Sequence, residues 1–291
     1  MRIREEVREM KKPGIIAVWG NPKFASEFAY NFARRTKKRT LICDLDFLNP
    51  SLDILLNVPR NPLRAMGDLT GVFHMLEAAE NNFLVQAMYD QFSVKRREVP
   101  NLHVMTGVYN LAEYEYVGMD MLSKVIKEAR NYYELVVLVI NQNPYDACTA
   151  LAFNEADLVL HPSGTDSLSI RYFNNFVYFF ADKQQISVDK FKYVAYLDKP
   201  PLADKDFLKE TTFGSFECTV SNAEPKKMQA MYGVLYQKLK LTDRDNKSDY
   251  YRDSNCYNNG DKKQGGKSDS AWFGGMKGEG VMGSAGSSYI K

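Results

Sequence analysis

The reading of this chain turns on Gly14–Leu55, GIIAVWGNPKFASEFAYNFARRTKKRTLICDLDFLNPSLDIL. An uninterrupted apolar run, Ile15 to Trp19, reaches Gly20 and a short polar turn, after which Phe24, Phe28 and Phe32 recur at helical spacing ahead of the basic cluster Arg34 to Arg39. The order is strand, loop, helix. A second apolar run, Thr40 to Cys43, ends at Asp44-Leu45-Asp46, so the segment predicts two parallel strands joined by a crossover helix. Phosphate-binding folds begin this way.

The phosphate-cradling pattern G-x-x-x-x-G-K-[ST] works because glycines let backbone N–H groups wrap the anion, the lysine neutralises it and the hydroxyl holds Mg²⁺. On that spacing Gly20 keeps the first position, while Ala25 replaces the second glycine, Ser26 the lysine and Glu27 the hydroxyl. No register puts a lysine directly before Ser or Thr here. A carboxylate at Glu27 would repel a triphosphate unless a metal lay between them. Lys23 and the helix N-terminus still attract an anion. The expected site on this spacing is therefore Gly20, Asn21, Pro22, Lys23 and Ser26, a cradle outline without its countercharges.

These residues resemble the start of the ParA/MinD branch of P-loop ATPases, in which a deviant phosphate loop precedes a strand ending Asp-x-Asp. LICDLDFLNPSLDILLNV (residues 41–58) carries most of the likeness, which extends from about Gly14 to Leu241. Within the branch, V-W-G-N-P is most similar to the TadZ/CpaE-like proteins of Tad pilus loci. The resemblance implies a doubly wound, mostly parallel α/β sheet with helices on both faces. It also implies ATP as the ligand of intact members, protein partners from a pilus or secretion machine, a homodimer, and a cytoplasmic protein recruited to the inner face of the membrane or a cell pole.

The chain departs from that branch on the metal side too. Leu135–Ile140 reads as a strand buried on both faces, and the resemblance makes it the strand that ends in a metal-binding aspartate. Here it ends Asn141-Gln142-Asn143-Pro144, and Asn141 brings no charge to a hard cation. Residues 193–201, YVAYLDKPP, lack the asparagine that recognises adenine in active relatives. Losing both loop lysine and metal aspartate removes the largest electrostatic contributions to phosphoryl transfer, so ATP is disfavoured as a cofactor and no catalytic residue or metal ligand is assigned. Asp44 is the acid retained as ligand-facing; the other reading is that Asp44 and Asp46 cap a strand end and a turn. Ser26 with Asp44 has no histidine base for a hydrolase triad.

Composition narrows the alternatives. A net charge of +2 over 291 residues, with both signs interspersed, recommends no nucleic-acid partner. The start MRIREEVREMKK has no signal-peptide core, Cys43, Cys148, Cys218 and Cys256 form no metal-type pair, and no apolar run is long enough for a membrane span. His74, His103 and His161 are too scattered for metal ligation. An extension, 1–13, carries a weak amphipathic stripe (Ile3, Val7, Met10); 14–241 forms the folded domain; and 242–291, rich in Gly, Ser and Asn, is expected to be disordered, with Trp272-Phe273 as a candidate binding motif.

Further along, helices are expected around Val72–Ala79, Met119–Tyr132 and Ser167–Ala181, and strands at Leu102–Thr106, Ala156–His161, Lys192–Leu197 and Phe216–Val220. Lys95–Arg97 reads as a solvated loop. Phe173, Phe176, Val177 and Phe180 read either as core or as a dimer face. Ser221-x-x-Glu224 with Pro225 suggests a capping box opening the last helix. Three functions stay in view: a non-catalytic scaffold, a nucleotide switch using Lys23, and a DNA-partition protein.

Overall fold

The computed structural model describes residues 14–58, 71–107, 114–197, 204–221 and 225–242. It opens with β1 (Ile15–Trp19), α1 (Pro22–Thr36) and β2 (Thr40–Asp44), the expected strand-helix-strand unit. There follow α2 (Leu52–Leu55), α3 (Val72–Glu80), α4 (Gln86–Phe92), β3 (Val94–Lys95), β4 (Leu102–Met105), α5 (Met119–Ala129), β5 (Leu135–Ile140) and α6 (Ala147–Glu155). The remaining elements are β6 (Leu158–Ser163), α7 (Ser167–Gln184), β7 (Phe191–Leu197), α8 (Lys205–Thr211), β8 (Phe216–Ser221) and α9 (Pro225–Lys238).

The described strands form one eight-stranded sheet in the order β3-β4-β2-β5-β1-β6-β7-β8, parallel except where β3 runs against β4. Alternate residues of β1 feed opposite faces. Ile15, Ala17 and Trp19 join the core under α3, α5, α6 and α7, while Ile16 and Val18 join the core under α1 and α9. Every residue of β1 and β5 is buried, which explains why both read as unbroken apolar runs. Phe24, Phe28 and Phe32 bury one face of α1 against Tyr232 and Tyr236 of α9, and each such ring contributes roughly 1.5–3 kcal/mol. On α7, Phe173, Val177 and Phe180 face the core and Phe176 is partly buried against it, so the core reading describes these residues.

Some elements differ from the sequence reading. β3 and α8 were not anticipated, since β3 has two residues and α8 buries only Leu208, leaving no periodicity to read. Lys95–Arg97 is solvated at Lys95 and Arg97 but not at Arg96. Lys95 lies in β3 and pairs with Asp90 at 3.0 Å, and Arg96 is buried and pairs with Glu98 at 3.1 Å. Ser221 is the last residue of β8, with its backbone N–H 3.5 Å from the Met231 sulfur; Glu224 lies outside the described residues, as do the stripe Ile3-Val7-Met10 and Trp272-Phe273. Among the described residues, no helix is long and apolar enough to cross a membrane.

Candidate functional site

In a parallel sheet, ligand-facing loops follow the carboxyl ends of the strands. Gly20 after β1, Asp44 at the end of β2 and Asn141 after β5 all lie there, on neighbouring strands. Only Gly20 and Asn21 separate β1 from α1. The stretch Asn21–Phe24, which the motif spacing assigns to a wrapping loop, instead caps and starts a helix. Asn21 Oδ1 accepts the Phe24 N–H at 2.9 Å and the Asn21 carbonyl accepts the Ala25 N–H at 3.1 Å. Pro22 opens the helix, where its missing N–H costs nothing. Its neighbour Lys23 is exposed on the first turn, and Ser26 is buried, donating within the helix to the Lys23 carbonyl at 2.8 Å.

Gly20 adopts φ +76°, and a Cβ there would stand 2.5 Å from Gln142 Cγ. The residue two beyond β5 is thus packed directly on the turn. The Gln142 carbonyl in turn accepts from Tyr172 Oη at 2.6 Å and Trp19 Nε1 at 3.4 Å, joining the turn to α7. Glu27 points elsewhere: Oε2 accepts from Tyr232 Oη at 2.8 Å and Tyr196 Oη at 3.1 Å, binding α1 to α9 and β7.

Asp44 is 1% exposed and accepts backbone N–H groups from Ser51 (2.8 Å), Leu52 (3.0 Å) and Asp46 (3.3 Å). It caps the turn into α2. Burial outweighs those bonds, with the Asp46 charge adding to it, and pushes the Asp44 carboxyl up to about 7. Asp46 accepts from the Asn49 N–H at 3.1 Å; burial raises its pKa as well, and the Asn141 amide opposes the rise. Asn141 Oδ1 accepts from the Asn143 N–H at 2.7 Å. Beside it Asp146, the N-cap of α6, accepts from Thr149 N–H at 2.9 Å and from the Tyr114 hydroxyl.

The fold therefore brings Gly20, Asp44 and Asn141 to one edge and leaves Lys23 and Ser26 on α1, without an ion pair among the described residues that links them to Asp44. Sequence reasoning missed Gln142, Tyr114 and Asp146. Asp146 had a legible signal, an acid three residues before Thr149; Gln142 had none, because its partner is distant in the chain. Among the described residues, no group of three or more His, Cys, Asp or Glu side chains is arranged to hold a metal ion.

Strand order, a parallel body with one antiparallel edge strand, and a glycine turn leading into the first crossover helix define an α/β fold of the P-loop NTPase class, ParA/MinD type. The chain is similar to the MinC:MinD cell division protein complex of Aquifex aeolicus (TM-score 0.60, 12% identity, 79% of this chain and 97% of that chain). It is similar also to a ParA family ATPase from Chlorobium tepidum TLS (TM-score 0.57, 10% identity, 77% and 90%) and to a plasmid partition protein from Borrelia burgdorferi B31 bound to AMPPNP (TM-score 0.57, 17% identity, 79% and 99%). At these identities the likeness is one of fold. No protein-family model matches the sequence, and no curated protein matches it.

Proposed function

We propose that this chain is a non-catalytic scaffold or localisation protein of ParA/MinD-like fold, similar to TadZ/CpaE proteins and serving a pilus or secretion machine through protein contacts. One observation carries the reading: the segment that would wrap a triphosphate is a two-residue turn backed by Gln142, with α1 already begun at Pro22. A triphosphate with Mg²⁺ does not fit these residues. Asp44 is engaged by backbone donors, Asn141 is uncharged, and Lys23 stands on the outer face of a helix turn. Exposed apolar groups on α7 and on the turn before α6 that packs against it favour protein contacts, a homodimer among them. Leu168 and Tyr145 are both 75% exposed, and Tyr145 packs at 5.6 Å on Phe179. The setting is the cytoplasm, with recruitment to the membrane or a pole by a partner.

The test is thermal unfolding and phosphate release with 1 mM MgATP, about the level that saturates ordinary ATPases. No shift and no turnover are expected. A stabilisation that Lys23→Ala abolishes would establish instead the nucleotide switch suggested by the AMPPNP in the Borrelia protein.

A further inference from the structure

The amino ends of β2 and β4, at the sheet edge opposite Gly20 and Asp44, carry more positive charge than the chain as a whole, whose net charge is +2. Residues 34–39 lead from α1 into β2, and residues 95–98 lead from β3 toward β4; together they hold eight basic side chains against Glu98 alone. Packing makes them one surface. Asn101 Nδ2 donates to the Ala33 carbonyl at 2.8 Å and to the Lys38 carbonyl at 2.7 Å, tying the β3–β4 connection to the end of α1. Asp90 pairs with Arg39 at 3.2 Å and with Lys95 at 3.0 Å, so one carboxylate bridges the two segments. Glu134, whose N–H donates to the Arg39 carbonyl at 3.0 Å, adds a third acid.

A helix C-terminus favours cations, which accounts for Arg34 and Arg35 in the last turn of α1. It does not account for Lys37, which follows the helix, or for Lys95 and Arg97 of the other segment, and all three are exposed. Two of the arginines are held against rings. Arg39 lies 4.9 Å over Tyr133, and Arg96 lies 6.0 Å over Tyr30. Each of these guanidinium groups also meets a carboxylate, Asp90 for Arg39 and Glu98 for Arg96 at 3.1 Å.

We infer that this face docks an acidic, carboxylate-rich segment of a partner protein. The like charges gathered here repel one another, and added carboxylates relieve that repulsion. Asp90 and Glu98 already occupy the face in the same way, paired with cations that the fold holds in place. A lipid surface is the poorer match, because binding to it also draws on apolar side chains. Among the described residues 30–40 and 94–101, no large apolar side chain is exposed. A nucleic-acid backbone carries a charge at every step and would set phosphates against Asp90, Glu98 and Glu134, where a polypeptide can place neutral residues.

The test uses the full chain and fluorescein-labelled peptides repeating Glu-Glu-Ser-Gly or Gln-Gln-Ser-Gly, read by anisotropy at about 100 mM salt. The glutamate peptide should bind at least about 10-fold more tightly than the glutamine peptide, and more weakly as salt is raised. Arg34→Gln, Lys37→Gly and Arg97→Gln combined should cost at least about 10-fold in that affinity, whereas Lys124→Gln on α5 with Lys183→Gln on α7 should cost less than about 2-fold. Lys37 sits at φ 59°, which glycine adopts freely, so the triple variant should fold like the wild type. Arg34→Lys with Arg97→Lys keeps the charge and should retain binding. Equal affinity for the two peptides, which needs no variant to detect, would overturn the inference, as would undiminished affinity in the triple variant. So would cosedimentation with phosphatidylglycerol vesicles, or binding of a DNA duplex, that the triple variant loses, since the face would then belong to lipid or nucleic acid. None of these readouts involves nucleotide, so failure here leaves the scaffold reading standing.

Discussion

At the scale of single residues, Asp44 and His161 titrate in opposite senses. Burial lifts the Asp44 carboxyl to about 7, well above its ordinary value of 3.8. Folding therefore takes up a proton, and the stability this provides is complete below about pH 4 and lost as the pH rises through 7. Asp44→Asn keeps an acceptor for the Ser51 and Leu52 N–H groups without the charge. In denaturant titrations at pH 8.5 it should be about 1–3 kcal/mol more stable than the wild type, the gap closing toward pH 4. Lower stability at pH 8.5 would mean the charge itself is needed. His161 is boxed by Trp19 at 4.4 Å, Phe173 at 5.6 Å and Tyr193 at 5.8 Å, and burial, only partly offset by the Trp19 backbone, holds its pKa down at about 4. The neutral ring supports the fold above about pH 6.5, and that support is lost as the pH falls toward 4. His161→Phe should flatten the decline by up to roughly 3 kcal/mol, leaving the share from His103, whose pKa burial and the Arg39 charge also hold at about 4. An acid limb of stability unchanged by His161→Phe would reject this. Asp44 and His161 are both visible in the sequence as residues; their burial is not.

The turn between β1 and α1 is where elements meet. Gly20→Ala imposes a left-handed φ on alanine and drives its Cβ to 2.5 Å from Gln142 Cγ, which should cost about 2–4 kcal/mol. Adding Gln142→Ala should recover the steric part and leave the backbone part of about 1 kcal/mol, and thermal melts of the two variants separate them. No recovery in the double variant would mean that Gln142 does not pack on the turn. The phenylalanine stripe of α1 is legible from spacing alone, but the residue at which the helix begins is not. A strand-glycine-helix sequence fits a wide loop as well as a tight turn, and Gln142, 122 positions away in the chain, occupies the space beside Gly20. Local signals fail in the same way for α8, where Leu208 is the one buried side chain of seven residues.

Over the whole chain, charges of both signs are interspersed, and the net charge of +2 gives little overall attraction for a polyanion. Fluorescence anisotropy with a random 30-base-pair duplex at about 50 mM salt should show no binding tighter than roughly 10 μM; tighter, salt-sensitive binding would favour the partition reading. The sheet architecture is readable from the chain alone: apolar runs such as Leu135–Ile140 are buried on both faces, and helices at Phe24–Phe32 and Leu122–Ala129 show one apolar side, because burial of repeating side chains is a local pattern. The missing lysine and the uncharged Asn141 are equally plain in the text. Three-dimensional packing was needed to show that Asn21–Phe24 starts a helix, that Glu27 turns toward Tyr196 and Tyr232, and that Arg39 and Lys95 share the Asp90 carboxylate. Each depends on atoms far apart in the chain competing for one volume, and periodicity along a sequence carries no record of that competition.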